Sequence, residues 1–186
     1  CVDDTGRITQ KGIRLNAYSG AYGSNGHAVA AYAVTNYFQL YPALGTQVGE
    51  SATVYTNMPS AGAMRGYGIP QVAFAMECQM DELAHRLGLD LVEVRRRNML
   101  RAGDRTITGQ VMLESRGLGL EECLDRVLEW MEWNDRPVAP GTGPIRRGRG
   151  LGLFLYGTGV PMLFEGASCF ATLQLDGTLN INVGST

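Results

Sequence analysis

The sequence predicts an α+β fold in which strand-like segments flank a helical middle. Three observations carry this. Short runs of strand composition lie near the start, at 49–55 and beyond residue 150. Apolar residues recur at helical spacing between Pro70 and Trp133. Glycine and proline punctuate the joins.

Residues 1–22 read as strands, with a turn signal at Asp3-Asp4-Thr5-Gly6 between short apolar runs. Gly20, Gly23 and Gly26 break the next stretch, and His27–Tyr41, rich in Ala, Tyr, Val and Leu, reads as a buried helix. Gly49–Tyr55 reads as a short strand and Thr56–Ile69 as a loop carrying Pro59, Gly62, Gly66 and Gly68. Pro70 opens a helix, because its missing N–H is not needed in the first turn. Val72, Ala75, Met76, Gln79, Met80, Leu83 and Leu87 fall mostly on one face, and Gly88 stops the helix. Asp90-x-x-Glu93 is a capping box that starts a further helix, through about Arg97. Residues 101–117 read as loop. Leu120–Trp133 is amphipathic, with Leu120, Cys123, Leu124, Val127, Leu128 and Met131 inward. Arg136–Gly150, rich in Pro, Gly and Arg, reads as a linker. Leu151–Tyr156, Ala167–Leu175 and Leu179–Val183 read as strands, the last two joined by an Asp176-Gly177 turn. A boundary near Gly143 divides the chain into 1–143 and 144–186.

With 186 residues, 45% hydrophobic and 18% charged, the chain has a globular balance and enough length for a real core. A net charge of −2 supplies no basic field for nucleic acid. No apolar run approaches the roughly 18–20 residues of a membrane span. The chain starts at Cys1 without Met or a leader-like pattern and ends on LNINVGST, a strand entering a glycine turn; an excised internal piece of a longer polypeptide is the expectation. Cys1, Cys78, Cys123 and Cys169 form no CxxC and join no Cys/His cluster, so reduced thiols are expected, with Cys78 and Cys123 packed on helices and no metal ligands among them.

Between Arg14 and Arg65 the only formally charged side chain is Glu50. A stretch that long without charge is not a free surface. It should face other protein, the core or a partner domain: either a large internal core, which composition favours, or a wall around a buried cofactor.

The loop Ala63-Met64-Arg65-Gly66-Tyr67-Gly68 offers particular chemistry. Glycines let backbone approach a ligand closely, and the amides of such a loop can point at oxygen or sulfur. The helix after Pro70 adds its N-terminal dipole, and Arg65 adds a permanent planar cation. Such a constellation is also the ordinary form of a tight connection.

The longer run YTNMPSAGAMRGYGIPQVAFAMECQMDELAHRLGLDLVEVRRRNMLRAGD resembles the molybdopterin-binding subunit of the xanthine dehydrogenase and aldehyde oxidoreductase family of molybdenum hydroxylases. That family carries a loop like TNxPxxGAFRGFGxPQ, then a helix, then LGxDPxEVRxxN. The resemblance extends more weakly over the whole chain. It implies part of a molybdenum cofactor-binding domain, with residues 1–143 the later part of a first subdomain and 144–186 the start of a second. It also implies a cytoplasmic oxidoreductase that hydroxylates an N-heterocycle or aldehyde using oxygen from water. The cofactors implied are molybdenum–molybdopterin, with [2Fe–2S] clusters and FAD on other domains or subunits. The implied partners are the remainder of the subunit, those domains and a small-molecule substrate, with no nucleic acid and no membrane span. Met64, Arg65 and Gly66 correspond to the turn against the molybdenum site, and Tyr67 to an aromatic that often faces substrate. The family's catalytic glutamate falls beyond Thr186, so no catalytic residue is expected in this chain, and the chain alone is expected to be inactive and without cofactor.

The sequence departs from the family at three places. Met64 stands where Phe is commoner. No Arg lies on the helix 27–41, where purine-oxidising members have one. Thr158-Gly159 precede Val160-Pro161, where those members place a stacking Phe. Both latter departures argue against xanthine as the best substrate. Glu165 matches no catalytic position. His85 is expected on an exposed helix face and His27 in a glycine-rich loop, neither with a companion at i+4. Arg95-Arg96-Arg97 and the Arg146–Arg149 cluster read as solvated charge. A different class of function is also open: a non-enzymatic interaction domain whose glycine loop is only structural.

Overall fold

A parallel pair of strands cannot be joined by a tight turn; it needs a crossover of a dozen or more residues. The computed structural model, which describes residues 1–113, 118–135, 138, 141–157 and 167–184, begins with such a unit. Strand β1 (Lys11–Gly20) pairs in parallel with β2 (Gln47–Tyr55), from Lys11 opposite Gln47 to Tyr18 opposite Val54. Helix α1 (Gly26–Tyr37) is the crossover and packs on both strands. β2 lies so close to α1 at Gly49 that a Cβ there would sit 2.5 Å from Val34 Cγ1 and 2.8 Å from Phe38. Helices α2 (Ile69–Leu87), α3 (Leu91–Asn98) and α4 (Leu120–Trp130) follow. The strands β3 (Ser168–Leu173) and β4 (Leu179–Gly184) form an antiparallel hairpin closed by the expected turn, with Gly177 at φ +85°. Contacts divide the chain into two compact units, Cys1–Leu155 and Tyr156–Thr186, the hairpin belonging to the second. The architecture is α+β, as expected.

The core of the first unit gathers Val34, Phe38 and Tyr41 with Val72, Met76, Met80 and Ala84 of α2, Val94 of α3 and Leu124 of α4. α2 buries the 72/76/80/84 stripe, while Ala75, Gln79 and Leu87, expected inward, are exposed. On α4 only Leu124 is fully buried; Cys123 and Val127, and Met131 just past the helix end, are exposed, so the inward face is narrower than the sequence suggested. Cys78 is exposed too, and the four cysteines are free thiols. The segment 151–155 forms no strand and has no ladder partner among the described residues; Leu151, Leu153 and Leu155 instead lay their side chains on the core. His27 sits in the first turn of α1 rather than in a loop, and both histidines are exposed.

The capping reading of α3 holds in half. The Asp90 carboxylate accepts from the Val92 and Glu93 amides at 2.9 Å, but Glu93 is held by Arg97 at 2.8 Å. Gly88 ends α2 at φ +64°.

The arginine run departs from the solvated face its composition predicts. Arg95 is not solvated; it is the largest fully buried side chain, at 0% exposure. Its Nε donates to Glu77 Oε2 at 2.8 Å, and its Nη2 to Asp81 Oδ1 at 2.7 Å and to the Leu151 carbonyl at 3.1 Å. Its Nη1 donates to the Leu91 carbonyl at 3.0 Å. Arg96 reaches Glu121 and Asp125 of α4, and Arg97 reaches Glu93 and the Thr5 carbonyl. Arg149 likewise leaves the solvated reading: it donates to the carbonyls of Met131, Glu132 and Trp133 past the end of α4, with its guanidinium 5.1 Å from the Trp133 ring.

Lys11 is a second buried cation. α1 has no basic residue in its last turn, and Lys11 supplies one from β1. Its Nζ donates to Tyr37 O at 2.6 Å and Tyr41 O at 3.0 Å, and lies 4.4 Å from the Tyr37 ring centroid. Burial pushes the ammonium down to about 7, with the Glu77 carboxylate pulling the other way.

Arg95→Met leaves Glu77 buried without its partner and is expected to cost about 3–5 kcal/mol, whereas Arg96→Ala, a partly exposed pair, costs about 1 kcal/mol or less. Urea unfolding of the two variants checks the contrast. For Lys11, the folded pKa lies below the unfolded value, so between pH 7 and about 10.4 the unfolded chain binds a proton that the folded chain does not. Stability relative to Lys11→Met therefore rises across that window and is flat below pH 7. Denaturation midpoints of both proteins across pH 6–10 test this; a constant difference would place the Lys11 pKa near its ordinary value.

Candidate functional site

The loop 56–68 leaves β2, crosses the end of β1 and returns over α1. Two backbone bonds fix its course: Thr56 N to Gly20 O at 3.0 Å and Ala61 N to Ser19 O at 2.9 Å. Gly20, at φ +73°, follows a register shift in β1, and a Cβ there would fall 2.2 Å from the Pro59 oxygen. The loop thus lies directly on bare backbone.

Its last turn is more constrained. Gly66, Tyr67 and Gly68 stand consecutively at φ +93°, +48° and +90°. Glycine adopts such values freely, but tyrosine does so only when its surroundings hold it there. The turn closes through Tyr67 N to Met64 O at 2.8 Å and Ile69 N to Gly66 O at 2.9 Å. A Cβ on Gly68 would lie 2.8 Å from Ala33 Cβ and 3.1 Å from Val29 O, so this residue is where the turn seats on α1. The Tyr67 ring meets Tyr32 of α1 edge-on, with centroids 5.6 Å apart and planes at 80°.

Met64 and Arg65 are exposed. The Arg65 guanidinium has no hydrogen bond or ion pair, and the Arg65 and Gly66 amides donate to no group, among the described residues. α2 begins at the next residue with no acidic side chain in its first turn and no side-chain cap. The four sequence candidates Met64, Arg65, Gly66 and Tyr67 therefore lie in one turn at one helix N-terminus. Thr158, Gly159, Val160, Pro161 and Glu165 lie outside the described residues. Among the described residues no three His, Cys, Asp or Glu come together as a metal site, and no helix is long and apolar enough to cross a membrane. Sequence reasoning missed Tyr32. Its signal was available in the helical spacing Val29, Tyr32, Ala33, but nothing in that spacing says which loop the face meets.

A turn with open amides and an unpaired cation at a helix N-terminus is a class of site that receives anionic or oxo-rich groups. Comparison with known proteins makes the class specific. Residues 1–99 match the molybdopterin cofactor-binding domain, and the chain belongs to that family. It is 41% identical over 184 residues to a putative xanthine dehydrogenase molybdenum-binding subunit of Escherichia coli, which covers 96% of this chain and 24% of that protein. It is 36% identical to the nicotinate dehydrogenase large molybdopterin subunit of Eubacterium barkeri, over 68% of this chain and 30% of that one. Among solved structures, the aldehyde oxidoreductase of Desulfovibrio desulfuricans superposes with a TM-score of 0.71 at 29% identity, over 96% of this chain and 19% of that one. The chain thus spans about a quarter of the length of the first of these relatives.

The geometry at Gly68 yields a prediction. Gly68→Ala combines a left-handed backbone with a Cβ driven into α1, and is expected to cost roughly 2–4 kcal/mol. Gly103→Ala, at φ +92° with nothing within 4 Å of its Cβ, carries the backbone cost alone. Thermal melts of the two variants separate the terms; equal losses would mean that the turn does not bear on α1.

Proposed function

We propose that this chain forms one wall of the molybdopterin site in a molybdenum hydroxylase, an enzyme that hydroxylates an electron-poor carbon of an N-heterocycle or aldehyde with oxygen from water. The observation that carries the reading is the 64–68 turn, which offers an unpaired guanidinium and two open amides at the N-terminus of a helix whose first turn carries no acidic side chain. A pterin dithiolene is anionic and rich in oxygen and sulfur, and these are the donors such a group takes. The residues present therefore fit it.

When bound, the molybdenum–pterin group would supply oxygen-transfer and two-electron redox chemistry, with [2Fe–2S] clusters and FAD on other domains or subunits as the onward electron carriers. This chain's residues bind and orient. Arg65 and the Arg65 and Gly66 amides hold the cofactor's polar edge, Met64 excludes water beside it, and the Tyr67 ring presents a flat wall to substrate. The proton-accepting carboxylate comes from outside this chain, which is by itself inactive and without molybdenum. In this reading residues 1–143 close a first cofactor-binding subdomain and 144–186 open a second, within a cytoplasmic enzyme. The relatives named for xanthine favour a purine substrate. The absence of any arginine on α1 favours another heterocycle, as in the relative named for nicotinate.

In the full-length protein, Arg65→Ala is expected to lower molybdenum occupancy or turnover tenfold or more while the melting temperature stays within about 2 °C, because an exposed side chain with no partner contributes nothing to packing. Metal analysis, turnover and a melt on one preparation decide it. A collapsed melting temperature with normal turnover in the folded remainder would make Arg65 structural and return the chain to the interaction-domain reading.

A further inference from the structure

We propose that Tyr32 of α1 is a positioning residue for Tyr67, setting the plane of that ring and through it the selectivity of the pocket. The inference rests on the reading of Tyr67 as a substrate wall. Tyr67 stands at φ +48° in a turn closed by two hydrogen bonds and seated on α1 at Gly68. That backbone fixes where the ring leaves the turn but does not set its plane. Something outside the turn must, and one aromatic contact of Tyr67 is in place: the edge-on meeting with Tyr32, centroids 5.6 Å apart and planes at 80°.

Tyr32 is suited to this task by its own support. It lies one residue from Ala33 and three from Val29, the two residues on which Gly68 seats, so one face of α1 holds both the backbone and the ring of the turn. The α1 backbone at this level is braced from behind, where Asn36 Nδ2 donates to the Tyr32 carbonyl at 2.9 Å and Ala33 and Val34 are buried. Both tyrosines are half-buried, so each ring keeps an accessible side. A ring held edge-on by a rigid helix presents a fixed plane. A ring next to an aliphatic side chain can rock, and a flat substrate stacked on it loses its orientation.

The test uses the full-length holoenzyme with Tyr32→Phe, which keeps the ring, and Tyr32→Leu, which removes it. Tyr32→Met replaces Leu if that variant does not fold. One measurement is hydrogen exchange at the Tyr67 and Ile69 amides, whose bonds to Met64 and Gly66 report the turn directly. The other is KM and kcat on a heterocycle and on an aliphatic aldehyde. The expected result is faster exchange in Leu with wild-type exchange in Phe. KM for the heterocycle rises up to about tenfold in Leu, the range of a lost aromatic pair, with little change for the aliphatic substrate. Unchanged exchange in Leu overturns the proposal whatever the activity. Faster exchange with no change in KM for either substrate leaves Tyr32 as the support of the turn and overturns Tyr67 as a substrate wall.

Discussion

A guanidinium cut off from water must have its charge and its donors met by protein, and Arg95 meets this requirement by binding three separate pieces of chain. Glu77 and Asp81 belong to α2, Leu91 O to α3 itself, and Leu151 O to the segment after α4. Glu77 in turn accepts from the Tyr41 hydroxyl at 2.8 Å, which fixes the chain leaving α1. Burial and that carboxylate together push the Tyr41 phenol well above its ordinary range. A hydrophobic contact tolerates sliding, but a buried charge with directed bonds does not. The helices α2 and α3 and the segment 151–155 therefore have one relative arrangement, and the N-terminus of α2, where the glycine turn sits, inherits it.

The turn is thus fixed from two sides by different physics. Behind it, α2 is locked by the Arg95 ion pairs. Beneath it, α1 is close-packed through residues without side-chain bulk: Gly68 on Ala33, Gly49 on Val34, Gly26 on Ser19. Close approach leaves no room for adjustment. That is what permits a tyrosine to stand in a left-handed conformation between two glycines. Asn98 ties the first residues of the chain into the same body, accepting from Ile8 N at 2.8 Å while donating to the carbonyls of Gly6 and Val94.

Much of this was legible from sequence, for local reasons. Pro70, Gly88 and Asp90 bracket their helices because capping depends on the backbone of a few adjacent residues. The glycine loop was legible because positive φ leaves its mark in composition. The α+β class and the family resemblance came through on the same grounds. Arg95 was not read correctly because a run of three arginines averages to a solvated face. Helical spacing held the missing information, since Leu91, Val94, Arg95 and Asn98 stand at i, i+3, i+4 and i+7, and the last three are buried. Residues 151–156 have strand composition, but a strand needs a ladder partner, and composition does not say whether one is present. The inward face of α4 was read too wide because periodicity gives its direction, whereas its width depends on how closely the neighbouring elements approach.

The run of residues 15–64, with Glu50 its only charge, divides into two behaviours. Its helical part is core, as composition favoured: Ala30, Ala33, Val34, Tyr37, Phe38 and Tyr41 are buried. Its strand and loop parts are not. Tyr18, Tyr22, Val48, Val54, Tyr55, Met58 and Met64 are all largely exposed, and the Arg14–Glu50 pair is the ionic contact among them. Scattered apolar residues on a surface need no explanation, but a chargeless surface carrying this many on neighbouring elements does. The opposite behaviour is found on α3 and α4, where Arg96 and Arg97 pair with Glu121, Asp125 and Glu93 in contact with water. A solvent-facing surface is built in the second way. The first way leaves apolar side chains beside uncharged polar ones, and the open amides and free guanidinium of the 64–68 turn are continuous with it in the chain.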